Sequence, residues 1–138
     1  YRLEHICDYR GTAIYNDSKS TNIDSTIGAC EAMKGTTCLI VGGYDKRLSY
    51  HNFFSRLPDG GKYGVCCGDN SASIIECAPE SNDRKICRTA TLERAVMLGL
   101  SFGADNLLFS PSTSSYDAYR NFEERGRHFE QTVRTFCA

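Results

Sequence analysis

Apolar and polar positions at the start of the chain follow the pattern of two short strands. Residues 3–9 and 12–15 are strand-like runs, and Arg10 and Gly11 separate them. Two such runs divided by a glycine-containing turn favour a β-hairpin. We therefore expect the chain to begin with an antiparallel pair of strands.

Strand-like and helical patterns alternate after this hairpin. Helices, with apolar residues recurring every three or four positions, are predicted around residues 23–33, 50–57, 71–77, 91–100 and 119–136. Short apolar strands are predicted at 37–41, 63–67, 86–89 and 106–109. This alternation favours a mainly parallel sheet with helices on both faces. The sequence therefore predicts one α/β domain with a Rossmann-like sheet, preceded by the β-hairpin.

Particular residues predict where three of these helices begin or end. Gly35 is expected to close the first helix as a C-cap, and Thr91 to cap the start of the fourth. In the last helix, Ser114 and Asp117 fit a capping pattern. Ser115 is therefore expected in the first turn of that helix.

Three polar loops, residues 16–22, 42–47 and 110–115, each follow an apolar strand. In a parallel sheet such loops gather at the carboxyl edge, where ligands bind in open α/β folds. The first loop carries Asp17, Lys19 and Thr21 and runs into a helix N-terminus, which favours an anion.

The other two loops add further polar groups. Lys46 and Arg47 lie in the second loop and Ser115 lies at the end of the third. Together with the first loop they predict a pocket for a small anion with more than one carboxylate. The alternatives are an ordinary capped helix in the first loop and solvated cations in the second.

Length and composition limit the classes of function. The chain has 138 residues, 41% of them hydrophobic, and a net charge of −1. These values are typical of one soluble globular domain and give no indication of nucleic-acid or membrane binding. No apolar run approaches the roughly 20 residues of a membrane span. Because the chain begins at Tyr1 rather than Met, we expect it to be part of a longer protein.

The cysteines and histidines do not form a metal motif. Several of the eight cysteines lie in the apolar runs 38–41 and 65–67, and none shows C-x-x-C spacing. We therefore expect reduced thiols, a cytosolic protein and no metal site. His5, His51 and His128 match no motif and are expected to be structural or exposed.

The order of residues in the first loop is more informative than its composition. Residues 16–22, Asn-Asp-Ser-Lys-Ser-Thr-Asn, resemble the loop that opens the C-terminal domain of the D-glutamate-adding Mur ligases of peptidoglycan synthesis. Related ligases for other amino acids usually have an Asp-Tyr-Ala-His-Asn-Pro type of loop there. Residues 110–117 and 121–126 are similar to the family's Ser-Pro-Ala segment and Asn-Phe-Glu-x-Arg-Gly helix.

Two further segments extend the resemblance over essentially the whole chain. Residues 42–46 are similar to a Gly-Gly-Asp-Gly-Lys segment of the family, although Tyr44 and Asp45 depart from it. Residues 1–4 are similar to the His-Arg-Phe-Glu that ends the family's interdomain linker, with Tyr1 in place of the His.

The resemblance implies roles for seven residues. For D-glutamate it implies an anchor at Lys46 rather than Arg47, with Thr21, Ser115 and Phe122 as further contacts and Lys19 as an added positive charge. For the nucleotide it implies Arg2, which reaches ATP across a cleft, and Asp17, which approaches the ribose. None of these residues is implied to be a catalytic nucleophile.

The resemblance also implies a larger enzyme, of which residues 1–138 would be the C-terminal domain. In a three-domain ligase of this kind, ATP phosphorylates UDP-N-acetylmuramoyl-L-alanine and the amine of D-glutamate then attacks. The UDP site lies in the N-terminal domain, and the P-loop and Mg ligands lie in the central domain. This chain has no G-x-x-x-x-G-K-[ST] motif, so we expect it to be inactive alone.

Two other interpretations remain open from the sequence. One is a Mur or folylpolyglutamate-type ligase domain for another amino acid, which the first loop disfavours. The other is a stand-alone Rossmann-like binding or interaction module. A gene about three times longer than this chain, with a P-loop upstream, would favour the ligase.

Overall fold

The computed structural model describes residues 3–80, 83–116 and 118–137, and these form one six-stranded sheet in the order β1-β2-β6-β3-β4-β5. The strands are β1 Glu4–Tyr9, β2 Thr12–Asn16, β3 Thr37–Val41, β4 Tyr63–Cys66, β5 Lys85–Arg88 and β6 Asn106–Phe109. The helices are α1 Ile23–Glu31, α2 Phe53–Arg56, α3 Ser71–Glu76, α4 Leu92–Ser101 and α5 Phe122–Cys137.

The predicted hairpin and mainly parallel sheet are confirmed. Strand β1 pairs with β2 in antiparallel orientation, and every other neighbouring pair in the sheet is parallel. The turn between β1 and β2 has φ 48° at Arg10 and φ 86° at Gly11. Glycine adopts such positive φ values without the steric cost of a Cβ atom, so Arg10-Gly11 suits this tight reversal.

Helices cover both faces of the sheet, as the alternation predicted. One apolar core lies under α4 and α5, and the other lies under α1, α2 and α3. Strand β3 contributes Cys38 and Ile40 to the first core, and Leu39 and Val41 to the second. Because successive strand residues point to opposite faces, a strand buried on both sides is apolar at most of its positions.

Two predicted helix boundaries are wrong and one is confirmed. Helix α1 ends at Glu31, so Gly35 lies in the following turn, where φ is 82° and Asp105 packs against it. Helix α5 begins at Phe122 rather than near Ser115, because the Asn121 side chain accepts a 2.9 Å hydrogen bond from the Glu124 N–H. At α4, the Thr91 hydroxyl accepts from Arg94 N–H as predicted.

Helix α2 is a single turn, shorter than the predicted 50–57. Tyr50 is buried and its hydroxyl bonds to Ser112 at 2.6 Å, so its ring is held before the helix starts. At the other end Leu57 is extended, with ψ 144°, as expected for the residue before Pro58.

The prediction of eight reduced thiols is wrong for one pair of cysteines. Cys7 in β1 and Cys137 at the end of α5 form a disulfide across a sequence separation of 130 residues. Because α5 packs along β1, the fold brings together two cysteines that spacing alone does not relate. The other six cysteines form no disulfide within the described part of the chain, and burial raises the pKa of Cys30 and of Cys66 to about 12.

None of the helices formed by the described residues has the length and apolar character needed to cross a membrane.

Candidate functional site

The three polar loops meet at the carboxyl edge of the sheet and are joined by backbone hydrogen bonds. Asp17 N–H donates to the Phe109 carbonyl at 2.8 Å and Gly42 N–H to the Pro111 carbonyl at 2.9 Å. Between the second and third loops, Tyr44 N–H donates to the Ser114 carbonyl at 3.1 Å. The carboxyl edge is therefore one connected surface.

Asp17 is the buried acid of this edge. Its side chain is 1% exposed, and one carboxylate oxygen, Oδ2, accepts hydrogen bonds from the Ser20 hydroxyl and, at 2.8 Å, from the Ser110 hydroxyl. The other oxygen, Oδ1, is buried and has no hydrogen-bond partner among the described residues. Burial raises the pKa of Asp17, and the two serine hydroxyls oppose that shift. Asp17 therefore joins the first loop to the third and retains an unused acceptor.

Arg125 joins the same two loops from the last helix. Its guanidinium is 2% exposed and donates to the Ser18 hydroxyl at 3.1 Å, the Ser18 carbonyl at 2.7 Å and the Thr113 carbonyl at 2.9 Å. The Ser18 hydroxyl in turn donates to the Phe122 carbonyl at 2.8 Å. The start of α5 is thus bonded to the first loop.

The glycine loop approaches its neighbours closely. Gly42 has φ 120°, and a Cβ atom there would collide with the Cys67 carbonyl oxygen. Gly43 N–H donates to the Asn70 side chain at 2.9 Å, and Asn70 donates to the Tyr50 hydroxyl at 3.3 Å. The second loop is therefore fixed up to Tyr44, while Lys46 and Arg47 beyond it are exposed.

The start of α1 is partly satisfied by its own cap. The Asn22 side chain accepts from Ser25 N–H at 2.8 Å, which is the ordinary helix cap that the sequence left open as the alternative for this loop. The remaining N–H groups of the first turn can still favour an anion.

The structure distributes the five predicted D-glutamate residues over different parts of this edge. Thr21 and Lys46 line a cavity of about 490 Å³, together with residues of α2 and the segment before it. Lys19 and Phe122 line another cavity, of about 320 Å³, next to Asn16 and Gly126. Ser115 is 2% exposed, and its carbonyl accepts from Tyr119 N–H at 3.0 Å.

These positions leave the individual assignments as predictions. Within the described part of the chain, the five residues do not line one common cavity. Thr21 and Lys46 are the pair from different loops that share one. Arg2, one of the two predicted nucleotide contacts, lies outside the described residues.

His128 takes part in a chain of hydrogen bonds that the sequence did not predict. Its Nε2 bonds to the Glu93 carboxylate at 2.7 Å and its Nδ1 to the Tyr119 hydroxyl at 2.5 Å. A carboxylate only accepts, so Nε2 is the donor, and this bond lowers the pKa of Glu93. His128 thereby ties the segment before α5 to α4, in accord with the structural role expected for it.

Arg125 is the residue of this edge that motif reasoning missed. It was included in the similar Asn-Phe-Glu-x-Arg-Gly segment without a role of its own. A signal was nevertheless present, since Arg125 lies three positions after Phe122 and four before Phe129, on the buried face of the helix. A charged residue at such a position requires hydrogen-bond partners in the interior.

Comparison with known proteins identifies relatives over almost the whole chain. UDP-N-acetylmuramoylalanine--D-glutamate ligase of Alkaliphilus metalliredigens is 36% identical over 135 residues, which cover 96% of this chain and 30% of the relative. The enzymes of the same name from Thermoanaerobacter sp. strain X514 and Christiangramia forsetii are 36% and 33% identical, and each match also covers 30% of the relative. No protein-family model matches the chain.

These matches confirm the resemblance that the loop motifs predicted. The chain is homologous to enzymes named UDP-N-acetylmuramoylalanine--D-glutamate ligase, and it spans about 30% of the length of the relatives it matches.

Proposed function

We propose that this chain, as a homologue of the D-glutamate-adding Mur ligases, is the C-terminal domain of a three-domain enzyme. The complete enzyme would use ATP to join D-glutamate to UDP-N-acetylmuramoyl-L-alanine in the cytoplasm. The observation that carries the proposal is the first loop, residues 16–22. It has the residue order of the D-glutamate-adding enzymes and lies at the carboxyl edge of a parallel sheet, against the third loop.

The share of this domain in the reaction is to bind and orient D-glutamate. Lys46 and Thr21 line one cavity, and in the proposal they contact a carboxylate of the amino acid. Lys19 adds positive charge, while Phe122 and Ser115 complete the site from the last helix and the third loop. An ammonium and several hydroxyl or N–H donors suit a dicarboxylate, which is what D-glutamate offers.

The chemistry itself follows from that orientation. ATP transfers a phosphoryl group to the carboxylate of UDP-N-acetylmuramoyl-L-alanine, the amine of D-glutamate attacks the acyl phosphate, and phosphate leaves. No residue of this chain forms a covalent bond in that sequence. Its side chains hold the amine at the acyl carbon, which contributes to the rate by positioning.

The nucleotide and its Mg are assigned mainly to the central domain. In the described residues, no group of three or more His, Cys, Asp or Glu side chains is arranged to hold a metal ion. Asp17 has an unused acceptor oxygen, which suits a ribose hydroxyl chemically, but the oxygen is buried. Contact between Asp17 and the ribose therefore requires the first loop to open, with Arg2 as the second nucleotide contact. The N-terminal and central domains of the same protein are the expected partners.

The names of the relatives favour D-glutamate over other amino acids as the substrate. No feature of the carboxyl edge described above supports either alternative, a ligase domain for a different amino acid or a stand-alone binding module.

The test is an assay of the complete gene product that contains this chain. With UDP-N-acetylmuramoyl-L-alanine and ATP, we expect phosphate release to depend on D-glutamate and not on L-glutamate or L-lysine. The 138-residue chain alone should release none. Turnover that requires a different amino acid, or turnover by the chain alone, would contradict the proposal.

A further inference from the structure

Arg125 holds together two of the three loops that form the proposed D-glutamate site, the first and the third. We propose that it is a positioning residue, which fixes the first and third loops relative to each other and thereby sets the KM for D-glutamate. This inference rests on the proposed function and adds a residue to it.

The contacts of Arg125 bridge one loop to the other. Two of its nitrogens donate to Ser18 in the first loop, at 3.1 and 2.7 Å, and the third donates to the Thr113 carbonyl in the third loop at 2.9 Å. Ser18 lies between Asp17 and Lys19, and Thr113 lies two positions before Ser115. A single buried group therefore joins the backbones that carry the proposed ligand residues.

The packing around the guanidinium leaves it little freedom. A Cβ atom at Gly43 would lie 3.2 Å from a terminal nitrogen of Arg125, so the second loop also lies against the group. A Cβ atom at Gly126 would lie 3.2 Å from the Cβ of Ser18, so helix α5 and the first loop are in close contact. A shift of the Arg125 side chain would therefore change the packing of all three loops.

The geometry of the site makes this position matter more for D-glutamate than for ATP. In the proposed site the amino acid is held by residues of different loops, so its binding depends on the distance between those loops. The nucleotide is assigned mainly to the central domain, and its proposed contacts from this chain, Asp17 and Arg2, include no residue of the third loop. A loss of loop alignment should therefore raise the KM for D-glutamate selectively.

Lysine cannot replace arginine in this role. The guanidinium is a planar fork whose donors point in fixed, different directions, whereas the lysine ammonium is one compact charge at the end of a flexible chain. Arg125→Lys keeps the charge but cannot reach Ser18 and Thr113 with the same set of bonds. The variant thus separates the bridge from the charge.

The chain offers a matched control at the end of the sheet where the parallel strands begin. Arg84 is partly buried and also donates to backbone carbonyls, those of Pro58 at 3.2 Å, Gly61 at 2.6 Å and Leu57 at 3.0 Å. Its contacts lie just before β4, away from the three polar loops. Arg84→Lys removes a similar set of hydrogen bonds at a residue that lines neither of the two cavities of the proposed site.

The experiment compares steady-state kinetics of the two variants in the complete protein, with D-glutamate and ATP varied separately. We expect Arg125→Lys to raise the KM for D-glutamate about ten- to hundredfold and to leave the KM for ATP within about threefold of wild type. Arg84→Lys should leave both constants near wild type. Equal changes in both constants, or a fall in kcat alone, would show that Arg125 serves only the fold.

A second variant and a second measurement keep the test decisive. Ser18→Ala removes one of the Arg125 contacts with a small change in volume, and it should raise the same KM by about three- to tenfold. Amide hydrogen exchange followed by mass spectrometry needs no substrate. Arg125→Lys should speed exchange in residues 16–22 and 110–116 together, and Arg84→Lys should do so in 57–62.

These outcomes separate the two proposals. If the wild-type protein shows no D-glutamate-dependent turnover, the proposed function fails, while coupled exchange of the two loops still supports the bridge. If turnover is present but the two loops exchange as in wild type and the D-glutamate KM is unchanged in both Arg125→Lys and Ser18→Ala, the role of Arg125 is overturned.

Discussion

The loops of this sheet lie at two edges, the amino edge, where the parallel strands begin, and the carboxyl edge, where they end. Both sets of loops are held by the same kinds of hydrogen bond, but they differ in whether buried polar atoms are left without a partner. At the amino edge, the Asp105 carboxylate accepts from Thr36 N–H at 2.9 Å and the Asn106 side chain donates to the Lys34 carbonyl at 2.7 Å. Arg84 donates to three carbonyls there. Each of these bonds joins neighbouring turns to one another.

At the carboxyl edge the loops are also joined by hydrogen bonds, but two buried acceptors in the described ranges remain unused. Asp17 Oδ1 and Ser114 Oγ are the buried side-chain atoms without a hydrogen-bond partner in the described ranges, and both lie in the polar loops of this edge. A buried polar atom without a partner costs about 1–3 kcal/mol. The amino edge is therefore organised for stability, and the carboxyl edge tolerates a cost that a ligand or a loop movement can relieve.

The largest expected effect is on the cation of the second loop. Removing a charge-assisted contact to a carboxylate costs about 1.5–3 kcal/mol, which corresponds to roughly ten- to hundredfold or more. In the complete protein, Lys46→Ala should therefore lower kcat/KM for D-glutamate by that factor. Ser115→Ala should cost less, because a neutral contact contributes about 0.5–1.5 kcal/mol.

Arg47→Ala is the matched control for Lys46→Ala, because both side chains are exposed cations in one loop. It should have the smallest effect of the three variants. A large loss with Arg47→Ala beside near-normal kinetics with Lys46→Ala would move the anchor to Arg47. Normal kinetics in all three would remove the second and third loops from the site.

A smaller effect is expected at the amino edge, where a substitution should change stability and leave D-glutamate kinetics unchanged. Asp105→Ala removes the acceptor for Thr36 N–H and for the Thr36 hydroxyl, which lies 3.2 Å from it. The free energy of unfolding should fall by about 1 kcal/mol, with the D-glutamate kinetics unchanged. Denaturant titration measures the free energy of unfolding. The control is Asp59→Ala, because Asp59 is also an exposed acid at the amino edge, in the loop before β4. Its free energy of unfolding should stay within about 0.5 kcal/mol of wild type. If Asp105→Ala raised the KM for D-glutamate, the amino edge would also contribute to substrate binding, which would contradict the proposed difference between the two edges.

The smallest effect concerns the buried acid of the carboxyl edge. Burial raises the pKa of the Asp17 carboxyl above its ordinary value, so ionisation of this group costs stability at neutral pH. That cost is fully present above the raised pKa and disappears as pH falls through it toward the unfolded value. Wild type should therefore gain stability relative to Asp17→Asn when pH is lowered from 7 to 4.

Unfolding free energies of both proteins at several pH values provide the check. If wild type instead loses stability relative to Asp17→Asn on acidification, the carboxylate is stabilised by its serine hydrogen bonds more than it is disfavoured by burial.

Local patterns were sufficient to predict the fold. The turn at Arg10-Gly11, the two-sided apolar strand β3 and the cap at Thr91 are short-range signals, and each led to the observed element. The parallel order of the sheet then placed the three polar loops at one edge, so the approximate location of the site was predictable as well.

Contacts between distant residues were not predictable in the same way. Two examples are the Cys7–Cys137 disulfide and the hydrogen bonds from Arg125 to Ser18 and Thr113. In each case, no sequence pattern indicates that the two segments are in contact. The start of α5 was also misjudged, since both Ser114 and Asn121 have side chains that can cap a helix. Tertiary bonds to the first loop and the Asn121 cap favour the later start.

The division of the predicted D-glutamate residues between two cavities has a similar origin. Lys19 and Thr21 are two positions apart, yet they line different cavities, because the loop between β2 and α1 turns around the buried Ser18 and Ser20. A motif lists residues in order and does not state which side of a loop each one occupies.

Ligand-dependent hydrogen exchange in the complete protein tests the central claim most directly. With UDP-N-acetylmuramoyl-L-alanine and a non-hydrolysable ATP analogue present, D-glutamate should slow amide exchange in residues 16–22, 42–47 and 110–116. Exchange in residues 33–37, 58–62 and 103–106 at the amino edge should stay unchanged, and L-glutamate should have no effect on either edge. Protection confined to the amino edge, or equal protection by both enantiomers, would contradict a D-glutamate site at the carboxyl edge.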